Sequence, residues 1–381
     1  MARNRVIYQS EALYVGPTTI AQQHTISNVL QLQRVQSANY SFNLERQDVN
    51  QFGELASIDR VILSAPTVSL DFSYLVANLY NESGLGFTTS DAGHTAHISC
   101  IKGILDKTSD EKNYFIKTVK EGADERGTHP DSRHDAFSEG VATHLTQSTI
   151  GIGNGFITSY TAEGSVGNFP TASINVEALN MVITSGASGF NVPSVNATDG
   201  VPVTAYQVVL PTGVSTPAAD TTSVLRPGQV TVSIVDNGQH AGGTAFDEMG
   251  VLVSDAKIQS YNISFDLGRT PLEKLGSKFA FAREIDFPVT ITASVEANVG
   301  ELTTGNLADM ISTDQNYDLF VRLKDPTNTN VHVDYHIKKA KLDSEEFSSA
   351  VGDNKSVTLN FSAQVGGPNQ TDIGFFMSGV S

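Results

Sequence analysis

Residues 35–79 recur at 258–302 without a gap, and this internal repeat constrains the fold more than any other feature of the chain. VQSANYSFNLERQDVNQFG (35–53) becomes IQSYNISFDLGRTPLEKLG (258–276), with Gln36, Ser37, Asn39, Ser41, Phe42, Leu44, Arg46 and Gly53 matched in place. The 45 aligned pairs hold 13 identities, among them Arg60/Arg283, Ile62/Ile285 and Thr67/Thr290. A second match follows in the same order: SVGNFPTASINVEA (165–178) with AVGDNKSVTLNFSA (350–363). Two ordered matches indicate a duplicated domain rather than a shared turn. One module carried twice suits a ring or array in which repeated surfaces meet equivalent neighbours. Two copies are too few for a solenoid.

The repeated segments alternate apolar and polar residues with period two, the signature of strands with one face in a core and one in water. In the first copy Ala38, Tyr40, Phe42 and Leu44 oppose Asn39, Ser41 and Asn43; in the second Tyr261, Ile263, Phe265 and Leu267 oppose Asn262, Ser264 and Asp266. The same holds for Val68–Tyr74 and Ile291–Ala297, and for Ala172–Ala178 and Val357–Ala363. NYFIKTV (113–119) and NYDLFVRLK (316–324) read as a further strand pair. Abundant Gly, Ser, Thr, Asn and Val, with only 17% charged residues, favours strands and turns over long helices. The expected class is all-β: two tandem sandwich or half-barrel domains with long inter-strand loops and a β-rich insertion. The boundaries read as an N-terminal arm (1–34), a first domain (35–181), an insertion (182–250) and a second domain (251–381).

Between the first two strands of each copy lies a long loop, Arg46–Pro66 and Arg269–Pro288. Loops of this length inside a compact domain are usually functional. Val49, Phe52, Leu55 and Ile58 in one loop, and Leu272, Leu275, Phe279 and Phe281 in the other, are too apolar for full solvation. With Arg46, Arg60, Arg269 and Arg283 they form the expected contact surface with a neighbouring subunit or domain.

Enzymatic chemistry finds little support. His129, Asp131, His134, Asp135, Glu139 and His144 cluster, but their spacing matches no standard zinc pattern. His94 and His97 near Cys100, the sole cysteine, form an equally weak grouping. GIGNGF (151–156) lacks the spacing of a phosphate loop and reads as a turn. No catalytic motif is present, so the expectation is a non-enzyme without a cofactor or metal. MARNRVIYQS opens without an apolar signal-peptide core, and no run reaches the ~18 apolar residues of a membrane span, so cytoplasmic synthesis is expected. Forty-one acidic against 24 basic side chains (net −17) oppose a nucleic-acid grip.

Taken in order, NRVIYQSEALYVG, RVQSANYSFNLERQDVNQFG, PTVSLDFSYL, GFITSYTAEGSVGNFPTASINVEALN and SVTLNFSAQVGG before GFFMSG resemble the major tail tube proteins of long-tailed double-stranded DNA bacteriophages. The resemblance implies sheets joined side by side into rings, and rings stacked into a tube that conducts DNA without binding it specifically. It implies that the long loops reach an adjacent subunit or ring, that other tail proteins cap the tube ends, and that the protein resides in the virion tail. Most such proteins carry one domain and form hexamers; two domains per chain favour a trimer with pseudo-sixfold symmetry. Asp71, Glu177, Asp266 and Glu296 fall on polar strand faces and are the candidate lumen acids. Residues 182–250 fit no core part of this pattern and are expected as an outward decoration. A capsid decoration protein, a baseplate ring, an adhesin or the tube of a contractile secretion device stand as alternatives.

Overall fold

The computed structural model describes residues 11–18, 29–62, 65–90, 99–118, 148–185, 190–203, 207–208, 210, 224–236, 256–299, 316–324, 331–348, 356–370 and 373–379. The His/Asp-rich segment, His94 and His97, and much of the insertion lie outside these residues.

The N-terminal arm contributes β1 (Glu11–Pro17) and β2 (Leu30–Gln31), and the first repeat opens with β3 (Val35–Asn43), β4 (Arg46–Val49), β5 (Asp59–Ile62) and β6 (Thr67–Leu75). It continues with α1 (Tyr80–Leu85), β7 (Thr89–Ser90), α2 (Lys102–Leu105), β8 (Glu111–Thr118), β9 (Ser148–Ser165) and β10 (Thr171–Ala178). The insertion adds β11 (Asn180–Ser185), β12 (Phe190–Asn191), β13 (Gln207–Val208) and β14 (Val230–Asp236). The second repeat comprises β15 (Ala256–Asp266), β16 (Arg269–Leu272), β17 (Ala282–Ile285), β18 (Val289–Val299), β19 (Tyr317–Lys324), β20 (Val331–Ser348), β21 (Ser356–Val365) and β22 (Gly374–Gly379). The all-β expectation is borne out.

The period-two pattern appears in space as expected. Val68, Leu70, Phe72 and Tyr74 of β6 are buried, as are Ile174 and Val176 of β10, Ile291 and Val295 of β18, and Phe361 of β21. These residues belong to one core cluster that runs through both repeats. Their intervening Ser, Thr, Asn and acidic neighbours line the opposite, polar face.

The strands run in the order β20-β21-β18-β15-β9-β10-β6-β3. Each repeat therefore supplies four strands in the same order: β9, β10, β6 and β3 correspond to β20, β21, β18 and β15. The β15–β9 pairing joins the two sets, with Ser260↔Ser165 through Asp266↔Ser159 in register. The duplication is thus written into one continuous sheet.

Strands β9 and β20, each of 18 residues, belong to two layers. Their first halves pair with β8 and β11, or with β19 and β22; their second halves join the polar-faced sheet. The switch falls at a left-handed residue in each, Asn154 (φ 56°) and Lys339 (φ 57°). An extra residue in this conformation bends a strand and increases its twist. The same hydrogen bond supports both bends: Asn154 N–H donates to Asn113 Oδ1 (3.2 Å) and Lys339 N–H to Asp318 Oδ1 (2.8 Å). GIGNGF is accordingly not a turn. It is the bend within one long strand, and its glycines fit because Pro193 and Ser194 press against Gly153 and Tyr114 against Gly155.

Asn113 and Asp318 also correct the alignment of the NY motifs. Both segments are strands as expected, but the structural partner of Asn113 is Asp318, two residues beyond Asn316. The bend position, rather than the Asn-Tyr match, sets the equivalence.

Candidate assembly surfaces

Side chains on the polar face line up in rungs across the strands. One runs Ser37, Ser73, Ser173, Thr161, Ser264, Thr292, Ser362 and Lys341. The next runs Asn39, Asp71, Asn175, Ser159 and Asp266. Short hydrogen bonds hold these rungs: Ser37–Ser73 (2.7 Å), Ser264–Thr292 (2.9 Å), Asn39 Nδ2 to Asp71 (2.8 Å) and Asn175 Nδ2 to Ser159 Oγ (2.7 Å). Such cross-strand pairs stabilise a sheet by a few tenths to one kcal/mol each.

Asp71, Asp266 and Glu296 stand on this face, Glu296 accepting from Ser260 Oγ at 3.1 Å. Glu177 stands at its end, where Arg283 donates to it. Glu163 and Glu346 share the face, opposite Asn262 and Thr358. They escape a reading confined to the duplicated segments, because β9 and β20 change layers midway and break simple alternation.

The sheet ends in two unlike edges. Among the described residues, β3 pairs only with β6, and the second half of β20 pairs only with β21. Their counterparts inside the chain, β15 and the second half of β9, pair with each other. The difference shows in burial. Ile263 and Phe265 of β15 are 1% and 2% exposed, whereas their equivalents Tyr40 and Phe42 of β3 are 40% and 58% exposed. Phe265 stacks on Tyr160 at 5.6 Å and meets Phe87 and Phe375 edge-on. Phe42 shares its type and strand position but has no such cover. Across the sheet, Phe347 of β20 is 51% exposed.

Both long loops are two-stranded arms, β4 with β5 and β16 with β17. Their tips turn through Gly53 (φ 95°) and Gly276 (φ 84°), a conformation that explains why glycine recurs there. Phe52 and Leu275, equivalent by the 223-residue offset (276 less 53), are fully exposed. Leu55 is fully exposed as well; Val49, Ile58, Leu272 and Phe281 are partly so.

The arm bases differ. The Arg269 side chain is buried and donates two hydrogen bonds to Asp110 (2.5 and 3.1 Å) and two, from Nε and Nη2, to the Ile157 carbonyl (both 3.2 Å). Its guanidinium and that of Arg283 lie 5.0 and 5.8 Å from the Phe156 ring centroid. Insertion residues fasten the same arm: Phe279 N–H donates to Ala197 O (3.0 Å), Lys278 N–H to Thr198 O (3.1 Å) and Ser277 Oγ to Ala197 O (2.9 Å). This part of the insertion is a clamp on the second arm. Among the described residues the first arm has no such fastening, and Arg60 pairs with Asp48 of its own hairpin at 2.7 Å.

Behind the sheet, Glu82 of α1 is buried among three tyrosines. Tyr74 Oη donates to Glu82 Oε1 at 2.9 Å, Tyr160 Oη approaches the same oxygen at 3.4 Å, and Tyr335 Oη lies 3.4 Å from Tyr160 Oη. Arg34 and Cys100 complete the groups facing it. Burial pushes the Glu82 carboxyl up to about 7, partly offset by hydrogen bonds from its own backbone and the two tyrosines and by Arg34. An acid with a raised folded-state pKa stabilises the fold least when ionised. Stability is expected to fall by on the order of 3 kcal/mol as pH rises from the ordinary glutamate range to about 7, then to level off. Glu82→Gln should flatten this slope and be the more stable protein at pH 8, as read by urea denaturation across pH 4.5–8.5.

Among the described residues there is no group of His, Cys, Asp and Glu side chains suited to a metal, and no helix is long and apolar enough to cross a membrane.

No protein-family model matches the chain, and no curated protein matches its sequence. Solved structures to which it is similar include the SPP1 tail tube determined by solid-state NMR and cryo-EM, at 10% identity and a TM-score of 0.29 over 48% of this chain and 81% of the other. The tail of a gene transfer agent particle, refined with C6 symmetry, is similar at 11% identity and a TM-score of 0.26 over 48% and 98%. The baseplate of the anti-feeding prophage is similar at 12% identity and a TM-score of 0.24 over 40% and 98%.

Proposed function

We propose that the protein is a non-enzymatic virion component that polymerises edge to edge into rings, which stack into a phage tail tube through which the genome passes. One observation carries this reading: the two sheet edges left unpaired among the described residues, β3 and the second half of β20, are the repeat-related copies of the two strands already joined at β15–β9. An edge pair related by the internal repeat is heterologous, so its addition closes a ring if the rotation allows. Unpaired edges are an aggregation hazard in a monomer and become joints in a ring.

Applying the internal register to the joint sets Tyr40 opposite Phe347, Phe42 opposite Glu345 and Asn43 opposite Ser344 of the next copy. Exposed Tyr40 and Phe347 would then cover one another.

Size favours three copies. Strands ~4.8 Å apart and tilted about 40° close eight strands from each of three copies at roughly 45–50 Å across. A lumen of that size, lined by the polar face, admits a DNA duplex after side chains are counted. Two copies would close at roughly 30 Å, and side chains would fill much of that space. Asp71, Glu163, Asp266 and Glu296 would line the lumen and repel phosphate, letting DNA slide. Stacking would use the arms, and other tail proteins would cap the ends.

Negative-stain electron microscopy of the purified protein tests this directly. Rings or tubes with three chains per layer are the expected result; a persistently monomeric protein, or closed shells without tubes, would exclude it.

A further inference from the structure

Resting on the ring reading above, we infer that each ring contains two kinds of arm seat, one closed inside the chain and one open at every joint between copies. The closed seat holds the second arm on the first repeat. Its parts are Phe156 and Glu177, a cross-strand pair of β9 and β10, which receive Arg283, and Lys107, which pairs with Glu284 at 2.6 Å.

The 185-residue offset of the two bends (339 less 154) carries that seat onto the second repeat. Phe156 becomes Lys341 and Glu177 becomes Ser362, again a cross-strand pair, of β20 and β21. The 223-residue offset of the arm tips (276 less 53) carries Arg283 onto Arg60 and Glu284 onto Val61. At a joint, the first arm of one copy therefore brings Arg60 to Lys341 and Ser362 of its neighbour. A cation that meets an aromatic face and a carboxylate in the closed seat meets neither at the corresponding positions of the open one.

Charge-assisted hydrogen bonding and cation–π attraction favour the first arrangement, and the second offers neither. Asp48 compensates by neutralising Arg60 within its own hairpin at 2.7 Å. The first arm is thus the releasable one, available to a copy in the next ring, while the second stays locked. The partner at each open seat is a second copy of this chain.

The seat can be completed by substitution. Ser362→Glu restores the carboxylate, and association followed by sedimentation velocity should then occur at roughly tenfold lower protein concentration. The gain should vanish in an Arg60→Ala background. An equal gain with and without Arg60, or no gain in a protein that assembles, overturns the seat while leaving the ring reading intact. A wild-type chain that never associates overturns the ring reading itself. In the isolated chain, trypsin should cut after Arg60 well before Arg283; equal rates would contradict the closed seat independently of assembly.

Discussion

Phe42→Pro is expected to leave the monomer folded and to abolish ring formation. The reason lies in which β3 amides point outward. Across the internal joint, Leu267 N–H donates to Thr158 O and Val166 N–H to Gln259 O, so residues 259, 261, 263, 265 and 267 present their amides to β9. Their counterparts on β3 are Gln36, Ala38, Tyr40, Phe42 and Leu44, whose amides face away from β6. Proline at 42 removes an N–H that β6 does not use, and edge strands tolerate such a proline. At the joint it deletes a ladder bond and sets its ring against the incoming strand, a loss on the order of 3 kcal/mol, or about 100-fold in affinity. Phe42 is already 58% exposed, so little core packing is lost. Sedimentation velocity paired with thermal unfolding separates the two effects. Normal assembly of the variant would rule out β3 as the joint strand.

Asp110→Ala is expected to destabilise the chain by about 3–5 kcal/mol, because it leaves the buried Arg269 guanidinium without its carboxylate. The side chains of the pair are only 2% and 8% exposed, so solvent screens them little. The double replacement Asp110→Leu/Arg269→Met removes both charges and should recover most of the loss, since well-packed apolar residues often replace a buried ion pair at little cost. Urea denaturation measures both. The single variant should also loosen the second arm, seen as faster hydrogen exchange at Leu272–Ile285. Unchanged stability in Asp110→Ala would mean that the pair contributes nothing to holding the arm.

Much of this organisation is legible in the chain. The alternation in 67–74, 171–178, 290–297 and 356–363 yields the strands and their buried faces directly, because a half-buried sheet demands period two wherever it runs. Asp71, Asp266 and Glu296 fall on the polar face for the same reason. Three features are hidden. The bends at Asn154 and Lys339 look like a glycine-rich turn and an ordinary polar residue. The arms look like loops, since isolated four-residue strands carry too few residues to show a period. Glu177 reads as a lumen acid, and its pairing with Arg283 is visible only once a segment over 100 residues away is folded beside it.

From sequence alone follow the duplication, the one-sided strands and the matched long loops, because local periodicity and internal identity need no partner to be seen. Tertiary structure alone decides that β15 pairs with β9, leaving β3 and the end of β20 as sheet edges among the described residues, and that Asp110 and the insertion fasten the second arm. The two repeats are alike in sequence but not in surroundings: Phe265 is covered by Tyr160 and Phe87, while Phe42 faces outward. That difference comes from chain order, which places β15 and β9 inside the sheet and their copies β3 and β20 at its ends.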